Sequence, residues 1–314
     1  MTSEFAFIHA LRGFAASPAA RGLADDAAVM EIGGVRLVLT HDMIVEGVHF
    51  LPADPPEDVA WKLVAVNLSD LAAKGARPLG ALLGYTLGGA EWDRAFAEGL
   101  RTALSGFGLE LLGGDTVSAP VGSARTFGLT AIGEAKGPVP SRAGAAAGDQ
   151  LWVSGTIGDS GAGLAILQGV LAGPEELVRR YRRPRPRIEA GEALAPLVSA
   201  MMDVSDGLLI DAARMAEASG LALRIELEEL PLSAAYLACR GDGQEARIAA
   251  ATAGDDYELL FAAAPGKAPS ILALGDAFGL SFTRIGTAEA GAGIRLLMRG
   301  DEVPLPERLG WEHG

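Results

Sequence analysis

Five acidic clusters share one setting in this chain. Asp25-Asp26, Asp42, Asp70, Asp115 and Asp203/Asp206 each stand where an apolar stretch gives way to a turn. A single aspartate at such a place is ordinary, because its short carboxylate caps helices and closes turns. Several that converge could not all stay ionised without cations. Hard divalent ions with oxygen ligands, Mg2+ above all, answer that need. Gly113-Gly114, just ahead of Asp115, reads as a turn whose backbone N–H groups could approach a phosphate closely.

The element that has to position these groups is an alanine-rich apolar run over residues 59–73, free of Gly and Pro and stopped by Gly75 and Pro78. It reads as a helix, and one this apolar is expected to be largely buried. Asn67, Asp70 and Lys74 fall at i, i+3 and i+7, a single stripe along it. A buried carboxylate without a partner is costly, so Asp70 either pairs with Lys74 one turn on or holds a cation. Around this helix, residues 4–16 read as an amphipathic helix and 35–40 as a strand ending at His41-Asp42. Further strands are expected at 81–87, 111–112 and 125–132, with a helix at 92–107. The segment 137–148 lacks hydrophobic periodicity and reads as a linker, dividing the chain into units 1–137 and 148–314. Strands at 150–154, 222–227, 257–263 and 282–286 alternate with helices near 160–171, 188–199 and after Asp206. That alternation points to an α+β chain built of two α/β domains.

At 314 residues, 49% of them hydrophobic, the chain is long enough for two cores. Its net charge of −14 disfavours nucleic acid or an anionic membrane as partner, so phosphate would be met by local arginines or metal ions. Cys239 is the one cysteine, which excludes an internal disulfide, and with four histidines a zinc site is not expected. The first residues show no basic and apolar leader, and the longest uncharged apolar run, 79–90, is too short and glycine-rich to span a bilayer. A cytoplasmic chain is expected. No P-loop, G-x-S-x-G or H-E-x-x-H motif occurs. His49 reads as a packing histidine or a ligand contact, and Arg142 as an even choice for an anion contact. The basic run 179–187 reads as a solvated surface or subunit contact rather than a phosphate clamp.

Taken together, DDAAV (25–29), VEGVHF (45–50), VNLSDLAAKGA (66–76), GGDT (113–116), SRAGA (141–145), SGTIGDSGAGLAIL (154–167), RPRPRI (183–188), DVSDGL (203–208) and GDDYELLF (254–261) resemble the thiamine-monophosphate kinases. These belong to the superfamily of aminoimidazole ribonucleotide synthetase, selenophosphate synthetase and a hydrogenase maturation protein. The resemblance runs almost end to end. It implies the two-domain aminoimidazole ribonucleotide synthetase-like fold, a homodimer formed through the N-terminal sheet, and ATP bound between the halves. The implied reaction is direct, Mg2+-dependent transfer of the ATP γ-phosphoryl group to thiamine monophosphate, the last step of thiamine diphosphate biosynthesis. Carried over, Asp26, Asp42, Asp70, Asp115 and Asp203 would hold several Mg2+ ions, with Thr40, His41 and Asp206 adding to their shell. Asp70, Asp115 and Asp206 would be the catalytic carboxylates. Gly114, Asp115, Arg142 and Ser205 would contact ATP, and His49, Asp255 and Trp311 would line the thiamine phosphate pocket. The chain departs from the family pattern at Ala24, usually Gly, at His41, often a small hydroxyl residue, at Lys74, commonly Met, and at Asp255, usually Glu.

Overall fold

The computed structural model describes residues 4–312. In the first half α1 (Glu4–Leu11) leads to β1 (Ala28–Ile32), β2 (Val35–Val45), α2 (Pro56–Ala73), β3 (Arg77–Leu87), α3 (Ala90–Phe107), β4 (Glu110–Ser118) and β5 (Thr126–Glu134). Their sheet runs β1-β2-β5-β3-β4, antiparallel except between β3 and β4, which α3 joins as a crossover. The second half holds β6 (Gln150–Ser154), α4 (Asp159–Leu167), α5 (Glu175–Arg182), α6 (Ile188–Leu194), β7 (Ala200–Asp203), α7 (Leu208–Ser219) and β8 (Ala222–Glu226). It continues with α8 (Ala234–Arg240), α9 (Gln244–Ala251), β9 (Leu259–Ala263), α10 (Ala268–Phe278), β10 (Phe282–Glu289), β11 (Gly293–Met298) and β12 (Asp301–Val303). Its sheet order is β12-β11-β8-β10-β6-β9-β7.

The axis between the sheets is α2. Pro56 stands in its first turn with Glu57 and Asp58, whose charges suit the positive end of the helix dipole. Fourteen of its residues are buried, and Lys62, Asn67, Ser69 and Asp70 are the polar ones among them, so the helix is covered on every side. Its first turns pack with Phe96, Phe127 and Leu129 of the N-terminal core. Ala72 and Ala73, at its end, pack instead with Trp152, Leu194, Met201 and Phe261 of the second half. Backbone meets backbone where α6 crosses: a Cβ on Gly191 would lie 2.0 Å from the Ala72 carbonyl oxygen.

The basic run 179–187 is divided: Arg179 and Arg185 are exposed, while Arg180, Arg182, Arg183 and Arg187 pair with acids of the chain. Arg182 pairs with Asp54 at 2.8 Å and Arg183 with Asp58 at 2.5 Å, while Trp61 donates its indole N–H to the Pro184 carbonyl. These contacts tie the second half onto the start of α2. Arg180 and Arg187 turn the other way and share the fully buried Glu258, which also accepts from Ser154 Oγ. Removing that carboxylate takes the ion-pair partner of Arg187, while Arg180 keeps Asp159 and Thr156. Glu258→Gln is expected to destabilise the fold by about 3–5 kcal/mol, read as a lower urea midpoint.

Elsewhere the structure corrects several expected boundaries. α1 stops at Leu11, and β2 continues through His41 and Asp42 to Val45. β4 runs straight through Gly113-Gly114, so no turn forms there. Its register against β3 slips at Leu112, which packs over Gly80. Residue 114 is confined to glycine by the sheet itself, since a Cβ there would meet the Leu83 carbonyl oxygen at 1.9 Å.

Candidate active site

Polar side chains of α2 hold three neighbouring segments in place. Asn67 accepts the backbone N–H of Asp42 at 2.9 Å and donates to the Leu63 carbonyl, pinning β2 to the helix. Ser69 donates to Asp203 Oδ2 at 2.6 Å, at the end of β7. Asp70 accepts the hydroxyl of Thr40 from β2. Lys74 does not pair with Asp70; its ammonium reaches Asp25 at 2.5 Å and Asp26 at 2.6 Å. The helix thereby gathers acids from three other parts of the chain. Carboxylate oxygens of Asp26, Asp70 and Asp203 all lie within 4.8 Å of one another.

The electrostatics divide this group. Burial pushes the Asp42 carboxyl up to about 6, with Asp26 and Asp206 adding repulsion. Burial likewise raises Asp203 to about 8, with Asp26 as the next contributor, and raises Asp70 well above the usual carboxylate range, with Asp42, Asp203 and Asp26 adding to it. Asp26 goes the other way. Burial acts to raise it too, but the Lys74 ammonium and the Arg142 guanidinium outweigh burial and hold it at about 2. Asp42, Asp70 and Asp203 have no cationic side chain among the described ion pairs. Crowded carboxylates such as Asp70 and Asp203, held by one hydroxyl each, have oxygen lone pairs to spare. That donor set fits a hard divalent cation.

Beyond β7, residues 204–207 turn sharply into α7. Asp211, on the first turn of α7, accepts the backbone N–H groups of Ser205 and Asp206, each at 3.1 Å. Arg214 bridges Asp206 at 2.6 Å and Asp211 at 2.8 Å. The Asp206 carbonyl also accepts the N–H of Trp311, which brings the half-exposed indole beside this turn. Asp255 donates its N–H to the Ser205 carbonyl and holds φ at 69°, a left-handed conformation unusual for a residue with a side chain.

Lys62 joins this turn to the loop after β2. Its ammonium, 2% exposed, donates to Asp255 Oδ2 at 2.8 Å and to the His49 carbonyl at 2.9 Å, and lies 3.9 Å over the Tyr181 ring. His49 accepts the Val45 N–H through Nδ1. Arg142 holds Asp26 through Nε at 2.7 Å. Lys62, Ser69, Asp211 and Arg214 are the site residues that motif reading misses. Lys62 does leave a trace, as the only lysine within α2.

His41 and Asp115 do not join the acids. Side chains alternate along a strand, so Thr40 and Asp42 face α2 while His41 faces away, hydrogen-bonded to Thr130 at 2.9 Å. Register across the sheet aligns Met43, Gly128, Gly84 and Asp115, and Met43 is exposed. The Asp115 side chain therefore shares the outer face with His41, opposite the cluster. Of the expected metal shell, the His41 and Asp115 side chains thus lie away from the buried acids of their own chain.

The family model for the AIR synthase related protein N-terminal domain matches residues 24–135, and that for its C-terminal domain matches residues 146–299. The two halves are thus those of the AIR synthase related class. A thiamine-monophosphate kinase of Caulobacter vibrioides is 42% identical over 95% of this chain and 86% of its own length. That of Salmonella typhimurium is 39% identical over 93% and 91%. Among solved structures, AaThiL complexed with AMPPCP and TMP matches with a TM-score of 0.85 at 33% identity, covering 99% of this chain and 97% of that one. Thiamine-monophosphate kinase from Stenotrophomonas maltophilia K279a matches at 0.78 and 35% identity, covering 95% and 96%. The chain belongs to the thiamine-monophosphate kinases of the AIR synthase related family.

Proposed function

We propose that this chain transfers the γ-phosphoryl group of ATP to the phosphate of thiamine monophosphate, forming thiamine diphosphate and ADP. The observation that carries the reading is the convergence of Asp26, Asp70 and Asp203, from the chain before β1, from α2 and from β7, within 4.8 Å. An acceptor phosphate oxygen forms the new P–O bond as the bridging bond to the β-phosphate breaks. That oxygen is already anionic near neutral pH, so no strong general base is required. The obstacle is repulsion between two polyanions. Asp42, Asp70 and Asp203, with Thr40 and Asp206 beside them, would hold divalent ions, Mg2+ by the hardness of the donors, and such ions neutralise triphosphate charge when bound. Arg142 and Ser205 stand next to the acids, where ATP phosphates would lie. His49, Asp255 and Trp311 surround the turn on the other side, where the thiamine phosphate would be held in line.

The division into units 1–137 and 148–314 belongs to the same proposal, the linker letting each half carry its own sheet. So does a homodimer. Met43, Leu82 and Val117 are 52%, 42% and 51% exposed, and by register they share the outer face of the N-terminal sheet with Asp115. In a dimer built on that face, Gly114 and Asp115 would serve ATP in the partner copy. Leu82→Asp is expected to give a monomer by sedimentation and to lose turnover with it; an active monomer would refute this arrangement. Among the described residues no helix is long and apolar enough to cross a membrane. A kinase drawing on ATP is placed in the cytoplasm.

Incubation with ATP, Mg2+ and thiamine monophosphate is expected to yield thiamine diphosphate by chromatography, with no diphosphate formed from free thiamine. ATP binding without that product would overturn the reading.

A further inference from the structure

Lys74, the residue that ends α2, has a fully buried side chain. Its Nζ lies 2.5 Å from Asp25 Oδ1 and 2.6 Å from Asp26 Oδ2, and it donates to the Met201 carbonyl at 3.3 Å. Toward Asp26 the contact is an ion pair only, for Oδ2 accepts no hydrogen bond. Arg142 takes Asp26 Oδ1, and Arg21 takes Asp25 Oδ2 at 2.5 Å. Each oxygen of these two adjacent carboxylates thus faces a cationic side chain. At the other end of the cluster, Asp70 and Asp203 meet only the hydroxyls of Thr40 and Ser69. Charge is compensated at one end and bare at the other.

A divalent ion bound to Asp26 Oδ2 would need the lone pairs that the ammonium already faces, and the two positive charges would repel at contact distance. We propose that the Lys74 ammonium fills, beside Asp25 and Asp26, a position a divalent cation would otherwise occupy. The chain therefore loads its ions on the Asp42, Asp70 and Asp203 side and binds one fewer than it would without this lysine. The inference rests on the reading that the acid cluster holds divalent ions.

Calorimetric titration of the nucleotide-free protein with Mn2+ tests it, because ion count does not depend on turnover. Lys74→Met is expected to bind one more Mn2+ per chain than the wild type, and Lys74→Arg, which keeps the charge, the same number. Equal counts for wild type and Lys74→Met would overturn the proposal. Lys74→Met takes one of the two cations from each of two buried carboxylates and can fail to fold, so the wild type supplies a second measurement. Anomalous scattering from Mn2+-soaked crystals is expected to place manganese on Asp70 and Asp203 and none on Asp26 Oδ2. Manganese bonded to Asp26 Oδ2 with Lys74 displaced would refute the built-in cation and leave the metal site standing. A wild type that takes up no Mn2+ would remove the metal site and the inference together.

Discussion

Asp70→Asn is expected to cut turnover about a thousandfold while leaving the chain folded, the scale set by losing a group that organises charge at a phosphoryl-transfer site. Asp70 sits in the last turn of α2, and its carboxyl faces Thr40 on one side and the Asp203 and Asp26 carboxylates on the other. Burial, followed by Asp42, Asp203 and Asp26, already disfavours its charged form. Asparagine preserves the shape and still accepts from Thr40, but it removes the charge that draws an ion. Two readouts separate this from a packing defect. Without divalent ions the variant should melt at or above the wild-type temperature near neutral pH, because a repelled charge is gone. The rise in melting temperature on adding Mg2+ should shrink. Intact turnover would refute the role given to the central helix.

Stability without metal should fall as pH rises, the reverse of ordinary acid denaturation. Asp42 and Asp203 are raised from 3.8 to about 6 and about 8, and Asp70 lies well above 3.8 as well. Each binds its proton more tightly in the fold than in the unfolded chain. Between roughly pH 4 and pH 8 the unfolded state releases these protons first, so the native state loses stability across that window, on the order of several kcal/mol in all. Asp26, lowered to about 2, behaves oppositely: its contribution is full above 3.8 and is lost as pH falls toward 2. Thermal melts in a chelator should therefore show a maximum on the mildly acidic side. Divalent ions bind the deprotonated carboxylates, so the increase in melting temperature with Mg2+ should be larger at about pH 8.5 than at about pH 5.5. A metal effect independent of pH would contradict the assignment of those three acids.

Much of this site is legible locally. Residues 59–73 read as a helix because their composition and stop signals are local, and α2 covers them as Pro56–Ala73. The strand at 150–154 coincides with β6 for the same reason. What local pattern cannot carry is the partner of a charge. Lys74 looks paired with Asp70 one turn away, yet its ammonium goes to acids preceding β1, because the fold brings them to the helix end. The basic run looks solvated until Asp54, Asp58 and Glu258, all remote in sequence, come to meet it. His41 and Asp115 look like members of the acid group, but strand alternation and the slip at Leu112 put their side chains on the other face. Four-residue β7 is too short for alternation to announce it.

The most direct test follows the phosphoryl group itself. In a single turnover with ATP labelled at the γ-phosphate, Mg2+ and thiamine monophosphate, the label should appear in the terminal phosphate of thiamine diphosphate at the rate ADP forms. No labelled protein should accumulate between them. Label released only as inorganic phosphate, or lodged first on the protein, would contradict direct transfer between two phosphates held across the buried acids of α2, β2 and β7.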